Sequence, residues 1–466
     1  MKRRSFNVLA GTSMVALVAG TRAFGQSASS DFAALSKTTL TPVGAERAGN
    51  AAGTIPAWTG GMTIIPEGVN WNPATSLPPD FFAGEAPLYT VNAGNLSQYA
   101  DLLCDGVQAL IQKQGFSLSV FPSHRTAACP QWVYDNIAQN ADRAKLSPNG
   151  GRLGFTGAFG GIPFPVPDAN DPLAGGAMVT WNHITRWSGT YISFAGSSWI
   201  VASGQPQKAS GFTISYYYPY YDNKLNVDSY SEMLFYQNIS STYPPNEAGE
   251  FLVFHQPTNP ATTPISVWQL LLGQGRVRKA PELQYDTPSS YTNGLTDFDE
   301  YNGFDGALDE YDWKLLGKKE MLVPYNNNKL ANSPSAETIG PKFLNPDVVR
   351  WELHRVWVVD ATLHPGKRNV FPHRRLYVDE DTWQVVITDS WDANGIIYKH
   401  AQVFTVLCPQ LPGLVDLNTV DYNLQTGDYA TLNGPSGEPP YNAPYNFSPI
   451  PMSQFQPQTM AANATY

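Results

Sequence analysis

Seven histidines, three cysteines and 39 carboxylates are the groups in these 466 residues best suited to catalysis or metal binding. The histidines are His124, His183, His255, His354, His364, His373 and His400. None forms His-Glu-x-x-His or another tight ligand spacing. Cys104, Cys129 and Cys408 include no Cys-x-x-Cys, which argues against a thiol oxidoreductase and a zinc ribbon. Gly-x-Ser-x-Gly is absent, so the usual nucleophile elbow is missing. Gly60-Gly61, Gly160-Gly161 and Gly175-Gly176 match neither phosphate-binding pattern and are read as turn glycines. The acidic run Asp297, Asp299, Glu300, Asp305, Asp309, Glu310, Asp312 invites a calcium reading. Tyr301 occupies the fifth position counted from Asp297 and no Glu closes the loop, so the EF-hand pattern fails. No metal and no cofactor is expected, and no spacing singles out a carboxylate pair of the glycosidase kind.

Three stretches suit binding better than catalysis. In Arg350–Asp360, alternation places Val349, Trp351, Leu353, Arg355, Trp357 and Val359 on one face. Arg350, Glu352 and His354 fall on the other. Trp surfaces with one guanidinium suit an amphiphile, with Arg355 toward a carboxylate or phosphate. The competing reading is a core face whose Arg355 pairs with a buried acid. Arg276, Arg278 and Lys279 form a basic patch with two arginines on one face, fit for a headgroup or for solvent-exposed pairing. Trp181-Asn182-His183 would line a pocket or supply a hydrogen-bonded structural histidine. The run Tyr216–Tyr221 suits sugar stacking, a lipid cleft, or merely a strand.

The elements that position these residues are mostly strands. Phe212, Ile214, Tyr216, Tyr218 and Tyr220 recur at period two. Similar runs span Tyr191–Ala202, Ser231–Ile239, Glu250–Gln256, Ser266–Leu272, Lys314–Val323, Val348–Thr362, Arg374–Asp379, Gln384–Asp389 and Ile396–Val406. Short turns between them predict an antiparallel meander, and no βαβ rhythm appears. Two helices are expected within residues 97–146. One starts at Ser97 and ends near Gly115, and the other carries Trp132, Val133, Ile137, Ala141 and Ala144. Gly and Pro total 39 and 38 and charged residues only 15%, so a helical rod is excluded. Residues 26–90 read as an extended arm, 91–408 as the sheet domain, and 409–466 as a Pro- and Asn-rich tail.

Lys2, Arg3 and Arg4, then an apolar stretch to Gly20 and Ala23-Phe24-Gly25, read as an export signal over residues 1–25. Arg3-Arg4-Ser5-Phe6 also fits the twin-arginine pattern, so either export route remains open. With no Cys near the cleavage site, the mature chain is expected to be periplasmic, soluble and without a lipid anchor. Losing Lys2, Arg3, Arg4 and Arg22 takes the formal charge from −10 to −14, which disfavours nucleic acid. An oxidising compartment permits a disulfide. Cys104–Cys129 is the preferred pair, because both lie in the helical segment; three buried thiols are the alternative.

Longer blocks carry a resemblance. Leu40-Thr-Pro-Val-Gly-Ala-Glu-Arg-Ala-Gly-Asn50 precedes Ile55-Pro-Ala-Trp-Thr-Gly-Gly61. Gly160-Gly-Ile-Pro-Phe-Pro165, Trp181-Asn-His183, Arg276-Val-Arg-Lys-Ala-Pro281 and Tyr285-Asp-Thr-Pro288 follow. Tyr311-Asp-Trp-Lys314, Leu344-Asn-Pro-Asp347 and Arg350-Trp-Glu-Leu-His-Arg-Val-Trp-Val358 complete the set. Together they resemble the bacterial exported family domain of unknown function 1329. Gly273-Gln274-Gly275 departs from the more basic run expected before Arg276. The resemblance implies a mainly β (α+β) fold like that of the lipoprotein carriers LolA and LolB: a large curved antiparallel sheet, an unclosed barrel with a helical plug and long extended arms. It implies a lipid or hydrophobic-molecule carrier, associated with a resistance-nodulation-division type transporter and an outer-membrane protein. Trp181, His183, Arg276, Arg278, Trp351, Arg355 and Trp357 are the expected ligand-binding residues, with no catalysis. An exported glycan or polymer hydrolase, or a structural envelope protein, are the alternatives.

Overall fold

The computed structural model describes residues 28–271, 276–280, 285–434 and 444–463. The expected leader over 1–25 and the turn Gly273-Gln274-Gly275 lie outside the described residues. In chain order the strands begin with β1 (Tyr89–Val91), β2 (Leu118–Val120), β3 (Lys145–Leu146), β4 (Phe155–Thr156), β5 (Tyr191–Ala202) and β6 (Gln205–Tyr217). Next come β7 (Met233–Tyr243), β8 (Phe251–Pro257), β9 (Ser266–Leu271), β10 (Arg276–Lys279), β11 (Tyr311–Pro324) and β12 (Trp351–Leu363). The last are β13 (His373–Asp379), β14 (Val385–Trp391), β15 (Ile397–Cys408), β16 (Gly413–Asn423) and β17 (Tyr429–Gly434). Among the described residues five α-helices precede β5: α1 (Ala28–Leu35), α2 (Leu96–Tyr99), α3 (Asp105–Gln114), α4 (Gln131–Arg143) and α5 (Pro172–Ile184).

Fifteen strands form one sheet in the order β1-β2-β12-β13-β14-β15-β16-β17-β5-β6-β7-β8-β9-β10, with β11 also on β12. Neighbours are antiparallel except β2 on β12. The order ends on β1 and β10 rather than returning on itself, so the sheet is unclosed. β3 and β4 pair with each other alone.

The expected C-terminal strap is in part the middle of this sheet. β16 pairs with β15, and β17 bridges β16 to β5, joining the two halves of the chain. Val415, Val420, Tyr422, Tyr429 and Leu432 are buried there. Polar Asn418, Thr419, Asp421 and Thr431 interleave with them and are buried as well, which hides the strand pattern in the sequence.

The expected helix from Ser97 is broken. Leu103 is extended at φ −120° and ψ 149°, and Cys104 restarts the chain as the N-cap of α3, its Sγ accepting from the Val107 N–H at 3.5 Å. Gly115, at φ 76°, ends α3 in the left-handed conformation. Val107, Leu110 and Ile111 are buried on the sheet. Each apolar side chain of that size contributes roughly 1.5–3 kcal/mol. A further helix, α5, runs through Gly175-Gly176 and so overturns their reading as turn glycines. Asp171 caps it, and Pro172 starts it. A Cβ on Gly176 would sit 2.5 Å from the Trp313 carbonyl oxygen, so only glycine lets α5 lie directly on β11.

The core has two main parts. One holds Val107, Leu110 and Ile111 with Trp351, Tyr377, Phe404 and Val406. The other holds Val133, Ile137, Val179 and Trp181 with Trp313, Leu376, Val378 and Val385. Leu376 and Val378 against Tyr377 show the alternation that sends β13 side chains to both. The middle of the sheet is therefore packed by its own helices.

Candidate functional site: an apolar hollow beneath one wing of the sheet

Open apolar space survives under the wing formed by β5 to β9. Its floor is one face of those strands: Phe212, Ile214 and Tyr216 of β6, Phe235, Gln237 and Ile239 of β7, and Phe254 and Gln256 of β8. Strand register makes this face continuous, with Ile214 opposite Ile239 and Gln237 opposite Phe254. Ser198 and Ile265 close its sides. The roof is the irregular segment 290–306, which contributes Tyr291, Phe298, Tyr301, Asn302, Asp305 and Gly306. The cavity measures about 100 Å³ and opens to solvent. That approaches the ~150 Å³ of a dry cavity that holds benzene, so the enclosed part fits a ring or a short alkyl stretch.

The roof is held by ion pairs. Asp297 and Glu300 form a reciprocal capping box. Asp299 Oδ2 accepts from Arg374 at 2.6 Å, and Glu300 Oε2 accepts from Lys399 at 2.6 Å. Tyr301 and Ser289 share a hydroxyl contact at 3.0 Å. Burial, with Glu300 nearby, pushes the Asp297 carboxyl up to about 7. Burial pushes Asp305 up to about 6, aided by Asp416 and opposed by Arg186. Among the described residues Asp305 is the one charged residue in the wall of the hollow.

The outer face of the same wing is covered by residues 444–463. Asn238 Nδ2 donates to the Gln454 carbonyl at 3.1 Å, and His255 Nε2 to that of Phe455 at 2.7 Å. Met460 packs with Phe251, Val253 and Leu270. This part of the expected tail is a strap, and it lies opposite the hollow.

None of the residues expected to bind a ligand lines the hollow. Trp181 is fully buried, its Nε1 donating to the Gly151 carbonyl at 2.8 Å. His183 on α5 bridges the irregular segment before β11 and the start of β14: Nε2 contacts the Phe304 carbonyl at 2.9 Å and Nδ1 accepts from the Val385 N–H at 3.0 Å. Burial holds it well below the usual histidine range, so it is a neutral structural histidine. Trp351 packs edge-on to Phe116, whereas Trp357 stacks on Trp383 beneath the Lys318 ammonium. Arg355 donates to Glu380 at 3.3 Å and to the Ala48 carbonyl at 3.1 Å, so a buried acid and the arm occupy it. Arg276 and Arg278 share a face of the edge strand β10, as alternation requires, and are exposed. Of the four aromatics read onto one strand face, Phe212 and Tyr216 lie on β6 and line the hollow, whereas β6 ends at Tyr217, so Tyr218 and Tyr220 fall beyond it and Tyr220 is buried in a core.

The expected disulfide is not formed; all three cysteines are free. Cys104 belongs to the α3 core, its Sγ 4.0 Å from His400 Nδ1, whereas Cys129 packs on the α5 core. The helical segment divides between the two cores, and its cysteines go with their own. Both thiols are pushed up by burial.

Four of the seven acids of the run, Asp299, Glu300, Asp309 and Asp312, pair with cations. Besides the roof pairs, Asp309 meets Lys367, and Asp312 meets His364 at 2.9 Å. Two buried trios elsewhere have metal-like spacing: Cys104, Asp389 and His400, and His354, Asp379 and Asp381. In the first, Asp389 accepts from the Gly106 N–H at 3.1 Å and contacts His400 at 2.8 Å. In the second, Arg125 grips both oxygens of Asp381 at 2.6 and 2.7 Å. Burial and Asp381 push Asp379 up to about 6, toward the neutral acid.

A wider cleft of about 620 Å³ lies between the arm and the residues before β12. Asp80, Glu85, Lys329, Asp347 and Arg350 make it polar. Arg350 and Glu85 pair across it at 2.7 Å.

A family model described as protein of unknown function (DUF1329) matches residues 90–461. The chain belongs to this family. An uncharacterized protein of Pseudomonas aeruginosa is 37% identical over 384 residues, which are 80% of this chain and 81% of that protein. Among solved structures, a domain provisionally named for outer membrane lipoprotein sorting, from Vibrio parahaemolyticus, aligns with 12% identity and a TM-score of 0.41. It covers 62% of this chain and 99% of that one. A LolA superfamily protein from Nitrosomonas europaea aligns with 10% identity and a TM-score of 0.32, covering 60% and 95%. No helix among the described residues is long and apolar enough to cross a membrane.

Proposed function

We propose that this DUF1329 protein binds a hydrophobic small molecule, lipid or lipid-like, in the hollow under β5 to β9 and carries it without catalysing its conversion. One observation supports the reading above others: Phe212, Ile214, Phe235, Ile239 and Phe254 turn an apolar face toward the hollow and its irregular roof rather than toward an α-helix. Burying a guest's apolar surface there yields about 25 cal/mol per Å² before the cost of association. The roof would cover the guest and the floor would stay fixed by strand pairing. A periplasmic location belongs to the proposal and rests on the leader-like residues 1–25. Partnership with an envelope transporter and an outer-membrane protein belongs to it as well, resting on the family resemblance.

The test is organic extraction of protein purified without detergent, followed by mass spectrometry. A stoichiometric apolar compound that is absent from a hollow-filled variant supports the proposal. An extract without one, from protein that also ignores apolar fluorescent probes, overturns it.

A further inference from the structure

The walls of the hollow restrict what a guest's polar end can be. Resting on the reading above, we propose that the hollow accepts amphiphiles whose head donates hydrogen bonds, a hydroxyl or an ammonium, and discriminates against free carboxylates and phosphates. Among the described residues Asp305 is the single charged wall residue, and no Arg, Lys or His lines the space. Burial, Arg186 and Asp416 perturb its carboxylate, and among the described residues no hydrogen-bond donor contributes. It therefore offers an acceptor that the fold leaves unused.

The nearest cation does not compensate. Arg186 is committed to Asp416 and, at 2.8 Å, to the His183 carbonyl. The wall's other polar groups, Ser198, Gln256 and Asn302 among them, are neutral and bring no charge to an anion. The Gln237 amide already donates to the Tyr216 hydroxyl at 2.6 Å, and the Tyr301 hydroxyl faces Ser289. Tyr216, Tyr218 and Tyr301 are the titratable groups that face Asp305 with Arg186 and Asp416, and burial keeps all three phenols protonated. A carboxylate head would thus meet like charge in a poorly solvated space, and an ammonium would meet its counter-ion. The arginines expected to hold an anionic head, Arg276 and Arg278, sit outside the wall on the sheet edge.

The experiment compares heads on one tail: decylamine, decanol and decanoate displace an apolar fluorescent probe from the full chain at pH 7.5. The amine and the alcohol are expected to bind at least tenfold more tightly than the carboxylate. In Asp305→Asn the gap between amine and carboxylate should shrink at least fivefold while decanol is unchanged. In the wild-type protein the amine's advantage should fade as pH drops through about 6, where Asp305 takes up its proton. Equal or tighter binding of decanoate overturns the head-group inference and leaves the apolar reading standing. If no decyl compound displaces the probe, the hollow itself is refuted as a binding site.

Discussion

Replacing Arg374 by Met should cost roughly 3–5 kcal/mol of stability, the range for breaking one side of a buried ion pair. Arg374 is fully buried. It donates to Asp299 at 2.6 Å, to the Tyr311 hydroxyl at 3.1 Å and to Asn369 Oδ1 at 3.2 Å. Its guanidinium lies 4.5 Å from the centre of the Phe371 ring, and Met keeps much of that packing, so the loss is mainly electrostatic. Asp299 has its other oxygen buried without a partner, so the variant leaves a carboxylate with just the neutral Asn369 amide, donating to Oδ2 at 3.1 Å, to offset its desolvation. Urea unfolding followed by circular dichroism reads the change, and Arg374→Met/Asp299→Leu should recover part of it, because the orphaned charge is then gone. Asp299 anchors the roof of the hollow, so the single variant should also weaken apolar-probe binding before global unfolding. A single variant within 1 kcal/mol of the wild type would refute this account of the roof.

Gly176→Ala should lose about 2–4 kcal/mol, read by thermal melting, because its Cβ meets the Trp313 carbonyl and must lever α5 off β11. Asp297, Asp305 and Asp379 have folded pKa values raised to about 7, 6 and 6. The stability each contributes is complete below the ordinary carboxylate range and disappears as pH rises through those values. Urea midpoints should therefore fall from pH 5 to pH 8 as far as these three groups decide. Alkylation of the unfolded, unreduced protein should give three adducts by mass spectrometry; a single adduct would restore the disulfide.

The strands were legible because their alternation is strong: Tyr191–Ala202 and Arg374–Asp379 appear almost as read. Helix α5 was not, since Gly175-Gly176 and Pro172 resemble turn chemistry until Trp313 is seen to require the missing side chains. The last two strands were masked by buried Asn418 and Asp421, whose side-chain polar atoms find no hydrogen-bond partner among the described residues, so polar letters stand where a strand pattern would have core ones. For the site, Tyr216 was singled out within its aromatic run and Phe212 only as a strand residue, because strands with apolar residues on both faces do not say which face stays open. Phe251, Val253 and Met460 seal one face of the wing, whereas Phe254 on the other meets open space. Trp and Arg on β12 looked like binding residues because the sequence does not show Glu380 or Trp383 arriving against them. Asp305 was read as part of an acidic run, and only the fold separates it from Asp299 and Glu300, which have cations.

The most direct test of the hollow is titration of an apolar fluorescent probe into the wild-type protein and into Ile239→Trp, whose indole would occupy the space over β7. The account predicts saturable one-to-one binding to the wild type and at least a tenfold loss in the variant, with an unchanged melting temperature. Equal binding by both proteins would contradict it.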